Sequence, residues 1–414
     1  MKFIIQPVAL VFAVSLFPSI VPGPFAVDAH AEDRPEESKV VLNPYATVDW
    51  ESVEHHKAAL HVHTLQSDGL HMVREVVHTY RDAGFTILAL TDHDQVGPNF
   101  RVPEGEKGSY YPKGPRPENY PANTTWPWTD YGTEAPEELG MVGIQGAELS
   151  FRHHINSLFT PYGTQGDYVI ARRMRTHGED DQLLHVKATD GLAFINHPGI
   201  DAGWWERKPL KWYVDLFGEH SSDYLIGMEV TNGNPSWEKY DEGLWDQLLV
   251  RFMPERPIWG FGTDDMHRME DYHQSHTVFL LDGLSKEGVR EAMETGRFYF
   301  TKSSRRADLR QTEKLDEFPA IERIDVDEAA GTITIHGSGY DTIKWISAPQ
   351  STEAREDYET SNQPWPTGRV VHEGEILDYR DTPGIEHFVR AELFRGDGEH
   401  VHRTFTNPMG MSRK

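Results

Sequence analysis

The chain of 414 residues contains no cysteine. This absence excludes disulfide bonds, zinc–thiolate sites, thiol nucleophiles and a lipidated cysteine behind an export signal. Basic residues are also scarce, because 40 Lys and Arg stand against 66 Asp and Glu and give a formal net charge of -26. Such a charge disfavours binding to nucleic-acid phosphates or to an anionic membrane. We therefore expect no nucleic-acid polymer among the partners.

Long apolar runs are lacking except near the N-terminus, where residues 3–21 follow Met1 and Lys2. Ala29-His30-Ala31 then supplies the small-x-small pattern that signal peptidase recognises. The pattern predicts a signal peptide over residues 1–31, a periplasmic or secreted protein, and no stable membrane insertion after cleavage. An uncleaved membrane anchor is the alternative, and four prolines within or just after the run favour cleavage.

Residues 45–303 alternate short β-type runs with amphipathic stretches, which is typical of a βα-repeating α/β domain with a parallel barrel or a doubly wound sheet. The predicted strands are Ala58–Val62, Thr86–Thr91, Met141–Ala147, Ile155–Pro161, Leu192–Asn196, Leu225–Val230 and Ile258–Gly262. The predicted helices are Met72–Ala83, Asp180–Thr189, Trp237–Phe252 and Lys286–Thr295.

Two regions depart from this alternation. Residues 97–139 are rich in Pro, Gly, Tyr and Trp without a sustained period, so they form either an ordered surface excursion or a lid over the site. Residues 318–414 contain alternating runs such as Thr332–His336 and Phe388–Phe394. These runs predict a small β-sandwich domain at the C-terminus.

Side chains that can bind metal ions stand at or just beyond the ends of predicted strands. His61 and His63 are two residues apart, as are Asp265 and His267, so each pair can present both side chains to one ion. The other segments with such side chains are Ser67-Asp68-Gly69, Asp92-His93-Asp94, Glu148, His153-His154 and His197. If these side chains had only a structural role, several histidines and carboxylates would be buried without partners. The pattern therefore predicts a metal centre.

In this order the motifs resemble those of the PHP (polymerase and histidinol phosphatase) superfamily over about Lys57–Ser303. The resemblance implies a distorted (β/α)7 barrel that holds two or three zinc, manganese or iron ions and hydrolyses phosphomonoesters or phosphodiesters. Phe388–Glu392 and Thr406-Asn407-Pro408 also look like the tail of the exported, carbamate-hydrolase-like branch, in which a β-domain follows the barrel and substrates extend to other esters.

The resemblance assigns nine ligands to three ions. The first ion takes His61, His63, Glu148 and Asp265, the second takes His154 and His197, and the third takes Asp68, His93 and His267. Glu148 bridges the first two ions. Asp68 stands where many relatives have histidine, and the spacing to Ile155-Asn156 favours His154 over His153 as the ligand.

Two divalent ions bridged by Glu148 and a solvent molecule lower the pKa of that solvent and supply hydroxide at neutral pH. We therefore expect hydrolysis of a small-molecule phosphoester, with Glu148, Asp265 and His267 as catalytic residues. Two alternatives stay open: hydrolysis of a carbamate or carboxylic ester at the same centre, and an exported metal-binding module without enzyme activity. Asp92 and Asp264 are expected to support ligands by hydrogen bonds, whereas Glu229 is equally compatible with a structural role.

Overall fold

The computed structural model describes residues 38–94, 125–150, 152–160, 178–204, 207–233, 238–303, 318–349, 365–396 and 401–412. The predicted signal peptide, residues 1–31, lies outside these ranges. Of the predicted insertion at 97–139, only residues 125–139 are described. Among the described helices, none combines the length and apolar character that crossing a bilayer requires.

Strands dominate the described part of the chain. They are β1 Val40–Leu42, β2 Glu54–Ala59, β3 Phe85–Leu90, β4 Val142–Ser150, β5 His154–Leu158, β6 Leu192–Ile195, β7 Leu225–Thr231, β8 Trp259–Gly262, β9 Ser275–Leu281, β10 Phe298–Ser303, β11 Ala320–Asp327, β12 Thr332–Ser338, β13 Thr342–Ser347, β14 Arg369–Glu373, β15 Ile376–Asp378, β16 Phe388–Arg395, β17 His402–Thr406 and β18 Met409–Met411.

Helices lie between the strands of the first part. They are α1 Val73–Asp82, α2 Glu179–Ala188, α3 Pro198–Trp204, α4 Leu210–Glu219, α5 Glu238–Phe252 and α6 Lys286–Thr295. Their sequences explain their ends and faces. In α1 the apolar residues recur every three or four positions and are buried, and α6 begins after Ser285, whose side chain accepts a hydrogen bond from Gly288 N. Gly296 ends α6 with φ 76°, a value that glycine tolerates.

One large sheet runs through the molecule, and its order through the first part is β10-β9-β2-β3-β4-β5-β6-β7-β8. β2, β3 and β4 pair in parallel, and so do β6, β7 and β8, but β5 is antiparallel to both of its neighbours. β9 is antiparallel to β2 and β10. Side-chain hydrogen bonds connect β8 to β9, because Thr277 Oγ1 donates to the Gly262 carbonyl at 3.1 Å.

The apolar core has one layer inside the curved sheet and others between the sheet and its helices. Inside, Phe194 stacks on Phe261 with ring centroids 4.5 Å apart, and Leu60 and Ile226 are also fully enclosed. Outside, α2, α4 and α5 pack on β6 and β7, and α1 packs on β2 and β3. Burial on both faces explains why β3, β6, β7 and β8 read as continuous apolar runs rather than alternating ones.

The C-terminal strands extend the same sheet, since β17 pairs antiparallel with β10 from Tyr299–Thr406 to Ser303–His402. A second sheet of three strands, in the order β11-β12-β15, packs its isoleucines against β13, β16 and β9. Arg390 on β16 also reaches α5, where its guanidinium donates to both oxygens of Asp246 at 2.9 and 3.0 Å. Both side chains are almost wholly buried.

The fold is mixed α/β with a large central sheet, as the sequence predicts. Each of the seven strands and four helices predicted for residues 45–303 has a counterpart with bounds within four residues. The pattern did not reveal α3, α4, β9 and β10, nor the reversed direction of β5. The domain boundaries at 45–303 and 318–414 stay a prediction.

Candidate metal centre

The parallel strands end at one rim of the sheet, and the predicted ligands lie there. His61 and His63 follow β2, His93 follows β3, and His197 follows β6. Because β5 runs in the opposite direction, its first residue, His154, lies at the same rim. Short ladder contacts fix this arrangement: Val62 pairs with Met266, and His93 pairs with Glu148.

The first set of ligands is His61, His63, Glu148 and Asp265. His61 Nε2 lies 3.3 Å from Glu148 Oε1 and 3.3 Å from Asp265 Oδ1. His63 Nε2 lies 3.4 Å from Glu148 Oε2 and 3.2 Å from Asp265 Oδ1. Ligands 2.0–2.2 Å from a tetrahedral ion are separated by about 3.3–3.6 Å, and octahedral coordination gives about 3 Å. The four side chains therefore have the spacing of ligands around one ion.

The imidazole tautomers also support a metal ion at this position. His63 Nδ1 lies 3.3 Å from Ser67 Oγ, whose own proton goes to Asp92 Oδ1 at 2.6 Å, so Nδ1 must be the donor. His61 Nδ1 lies 2.7 Å from Glu229 Oε1 and donates to that carboxylate. The two Nε2 lone pairs then face each other across 3.1 Å. A positive charge between them, either a proton or a metal ion, removes the repulsion, so these residues fit a metal ion.

A second set shares Glu148 with the first. Glu148 Oε1 lies 3.1 Å from His154 Nδ1 and 3.2 Å from His197 Nε2. Asn196 Nδ2 donates to the same oxygen at 2.8 Å. Glu148 Oε1 thus faces His61 of the first set as well as His154 and His197 of the second, and Oε2 faces His63, so this one carboxylate can bridge two ions.

A third set surrounds Asp68. Its Oδ1 lies 3.2 Å from His267 Nε2, and its Oδ2 lies 3.3 Å from His93 Nε2. His267 Nδ1 donates to the Asp265 carbonyl at 2.9 Å, which leaves Nε2 as the coordinating atom. His93 Nδ1 lies 2.6 Å from Ser150 Oγ and 2.8 Å from Glu148 Oε2, so this histidine connects the third set to the bridge.

The electrostatics of the cluster favour cations. Burial alone would raise the pKa of Glu148, but the histidines His154, His61 and His93 outweigh it and hold this pKa well below its usual range. Asp265 behaves in the same way, since burial is again outweighed by histidine charges. Burial lowers the pKa of His61, yet the carboxylates Asp265, Glu229 and Glu148 raise it to about 10. The carboxylates are thus ionised, and positive charge from histidine protons or from bound cations must balance them.

The cluster is closed below and open on one side. His61, His63 and Glu148 have no exposed surface, whereas the side chains of Asp265, His154 and His267 are 16, 15 and 28 % exposed. These three are the most exposed of the predicted ligands. Asp265 has φ 50°, a conformation that non-glycine residues rarely adopt and that accompanies functional sites.

Asp92 and Asp264, the two predicted supporting residues, hold loop segments rather than imidazole rings. Asp92 accepts hydrogen bonds from Thr64 N at 2.7 Å and Ser67 Oγ at 2.6 Å, and so holds the segment that carries His63 and Asp68. Gly69 permits that segment to lie against His63, because a Cβ at this position would be 2.6 Å from the His63 carbonyl.

Asp264, the other predicted supporting residue, accepts hydrogen bonds from Tyr80 Oη at 2.9 Å and from three backbone amides in residues 273–275. It thereby anchors the turn between β8 and β9. Burial raises its pKa to about 6. Its hydrogen bonds fix the backbone next to Asp265, so Asp264 supports the ligand segment through the chain rather than through a ligand side chain.

Sequence reasoning missed Asp201 and left Glu229 undecided. Asp201, on α3, accepts a hydrogen bond from His154 N at 2.8 Å, and its Oδ2 lies 3.6 Å from His197 Nδ1. Glu229, on β7, is fully buried and contacts His61. The signal for Asp201 was its place four residues after His197, one helical turn on.

The adjacent residues His153 and His154 have different environments. His153 is buried between Trp212 and Tyr213, with ring centroids at 5.1 and 6.0 Å, whereas His154 faces Glu148. The Trp126-Pro127-Trp128 segment packs on α1, where Trp128 is fully buried. Trp128 therefore belongs to the core, and Trp126 is half-buried against it.

Comparison with known proteins gave structural likenesses only. No protein-family model matches the sequence, and no curated protein matches it. Among solved structures, a two-domain Bacteroides vulgatus protein containing a predicted PHP-like metal-dependent phosphoesterase is 19% identical, with 87% of this chain and 94% of that chain covered and a TM-score of 0.45. The lesion-specific endonuclease EndoQ of Pyrococcus furiosus is 14% identical, with 64% and 67% covered and a TM-score of 0.36.

An amidohydrolase of Chromobacterium violaceum, solved with bound sulfate and no metal, is 17% identical, with 51% of this chain and 87% of that chain covered and a TM-score of 0.32. PHP-like phosphoesterases, whose motifs this sequence resembles, are thus among the structures that match.

Proposed function

We propose that the chain is an exported metal-dependent hydrolase that cleaves phosphoester bonds in a small-molecule substrate. The observation that carries this proposal is the shared use of Glu148: its two oxygens face two sets of ligands at 3.1–3.4 Å. A carboxylate that bridges two ions is the arrangement that hydrolytic two-metal centres need. The PHP resemblance of the motifs supports the phosphoester as substrate.

Divalent ions held there, whether zinc, manganese or iron, would supply Lewis acidity and a water nucleophile of lowered pKa. The residues of this chain do the rest. His61 and His63 present Nε2 because Glu229 and Ser67 hold their Nδ1 protons. Asp265 and His154 border the opening and orient the scissile group. His267, the most exposed ligand, presents Nε2 beside Asp68 and can donate a proton to the leaving oxygen when no ion is held there.

The finer architecture belongs to the same proposal. We infer that β2 to β8 form the distorted (β/α)7 barrel of the PHP type, with its centre at the carboxyl ends of the strands. The two sheets that meet across the isoleucines of β11 and β12 form the C-terminal sandwich. Residues 1–31 direct export, so the enzyme acts outside the cytoplasm. Nucleic-acid polymers are not its substrates, since the net charge is -26.

A substrate panel tests the proposed reaction. The chain is stripped of metal, reconstituted separately with zinc, manganese and iron(II), and assayed with p-nitrophenyl phosphate, bis-p-nitrophenyl phosphate, an aryl carbamate and an aryl acetate. We expect turnover of at least one phosphate ester that depends on added metal. Turnover of only the carbamate or acetate assigns the centre to the alternative ester chemistry and overturns the phosphoester proposal.

A further inference from the structure

Glu229 lies behind the metal ligands, on the side away from Glu148, and it contacts both of the first two ligand sets. Its Oε1 accepts from His61 Nδ1 at 2.7 Å and from Thr263 Oγ1 at 2.6 Å. Its Oε2 accepts from His197 N at 2.8 Å and from Asn232 Nδ2 at 3.1 Å. The side chain is fully buried.

We propose that Glu229 is a positioning residue that couples the two ion sites, by fixing the tautomer of His61 at the first and the backbone of His197 at the second. The inference rests on the proposed metal centre. His61 and His197 are 136 positions apart in the numbering and belong to different strands, yet their rings stack at 5.4 Å with planes 26° apart. Glu229 is a single rigid group that touches both residues.

The hydrogen bonds show why a carboxylate is needed. Both oxygens face groups that can only donate, namely the His197 amide on Oε2 and, once His61 presents Nε2 to an ion, its Nδ1 proton on Oε1. An amide side chain offers one oxygen only. Its NH2 group would face a donor on whichever side it took, leaving either His61 or His197 unsupported.

A buried carboxylate nearby provides the matched control. Asp241, on α5, is 2 % exposed and accepts one hydrogen bond, from Gly199 N at 2.7 Å. Asp241→Asn keeps an oxygen for that bond, and neither form contacts an imidazole in the described contacts. Both substitutions turn a buried carboxyl group into an amide, but only Glu229→Gln removes an acceptor from His61 Nδ1 or from the His197 amide.

The test titrates metal-free full-length protein with Co²⁺ by calorimetry and records the visible spectrum of the bound ion. Orienting residues of this kind change metal affinity by about 10- to 100-fold. We expect Glu229→Gln to weaken both Co²⁺ sites by that factor and to alter the spectrum, with Asp241→Asn like the wild type. Unchanged affinities in Glu229→Gln, or equal losses in both variants, overturn the coupling.

A milder variant covers the case in which Glu229→Gln does not fold. Thr263→Val removes one donor from Oε1 while keeping the side-chain shape, and we expect several-fold weaker Co²⁺ binding at both sites. Wild-type binding in Thr263→Val would then overturn the inference. Failure of the proposed function looks different, because in that case the wild-type chain itself binds no Co²⁺ or cleaves no phosphate ester.

Discussion

Glu148 is the residue on which both ion sites depend. It lies in β4 with no exposed surface, and its carboxylate faces both of the first two ligand sets. An unpaired buried carboxylate in such a position costs several kcal/mol, and the surrounding imidazoles offset this cost only if they are protonated or share a cation. A cation shared by these imidazoles also relieves the contact between His61 Nε2 and His63 Nε2.

The adjacent histidines 153 and 154 provide a matched pair of variants. His154→Ala removes an Nδ1 that lies 3.1 Å from Glu148 Oε1. We therefore expect this variant to lose one ion and to hydrolyse the substrate about 100-fold more slowly than the wild type, or more slowly still. His153→Phe keeps an aromatic ring against Trp212 and should retain both metal and activity. Metal analysis and initial rates check this, and equal effects of the two changes would contradict the ligand assignment.

At the residue scale the sequence predicts the metal ligands but not the residues that hold them in place. The His61–His63 and Asp265–His267 pairs follow from strand periodicity, and the structure brings all nine predicted ligands together. Glu229 could not be resolved, because its role depends on His61, which lies 168 positions away. Only the fold brings the two residues into contact.

Among the structural elements, the segment between β2 and α1 determines the third ligand set. Asp68 lies on this segment, Asp92 holds it, and Gly69 lets it approach His63. No regular secondary structure fixes Asp68, so its position depends on these few contacts. The third site is therefore the one most sensitive to changes in a loop.

Gly69→Ala tests that dependence. The added Cβ would lie 2.6 Å from backbone atoms of His63 and Thr64, so the segment must shift and carry Asp68 with it. We expect the loss of one ion and about 10- to 100-fold slower turnover. Gly218→Ala on α4 is the control, since nothing lies within 4 Å of its Cβ and alanine favours a helix. Wild-type metal content in Gly69→Ala would refute this role.

Helix α5 is fixed to the C-terminal strands by a buried ion pair. The Arg390 guanidinium donates to both oxygens of Asp246 and also contacts Glu392, with all three side chains nearly inaccessible. The Trp245 ring lies 4.9 Å from the same guanidinium. The C-terminal region therefore helps to hold the helix that packs on β7, the strand of Glu229.

Arg390→Met should destabilise the protein by about 3–5 kcal/mol, because it leaves Asp246 buried without its countercharge. Arg323→Met removes a pair with Asp325 whose side chains are 45 and 37 % exposed, and should cost less than about 1 kcal/mol. Urea unfolding of both variants measures the difference. Similar midpoints for the two would show that the buried pair does not anchor α5.

The direction of β5 shows what periodicity leaves out. Alternation and apolar runs locate strands but carry no direction, so a βα-repeating interpretation took this strand as parallel. Only three residues separate Ser150 at the end of β4 from His154 at the start of β5, whereas a parallel crossover needs about a dozen. The short connection was the signal that could have revealed the antiparallel pair.

For the molecule as a whole, the net charge and the proposed metal centre have opposite effects on an anionic substrate. The net charge of -26 repels an anionic phosphoester, whereas bound dications attract it at contact distance. Raising ionic strength from about 10 to 150 mM shortens the screening length from about 30 to 8 Å, so the long-range repulsion fades first.

We therefore expect kcat/KM for a phosphoester to rise several-fold over this range, while kcat changes little because the bound substrate has already been captured. Steady-state kinetics at constant pH and metal concentration measure both. A steep fall of kcat/KM with added salt would mean that an attractive field guides the substrate, contrary to the acidic surface.

The central claim is that this fold holds at least two divalent ions around Glu148. Elemental analysis of the chain, purified without chelator, tests it directly. We predict two or three zinc, manganese or iron ions per chain for the wild type. Fewer than one ion per chain would contradict the claim.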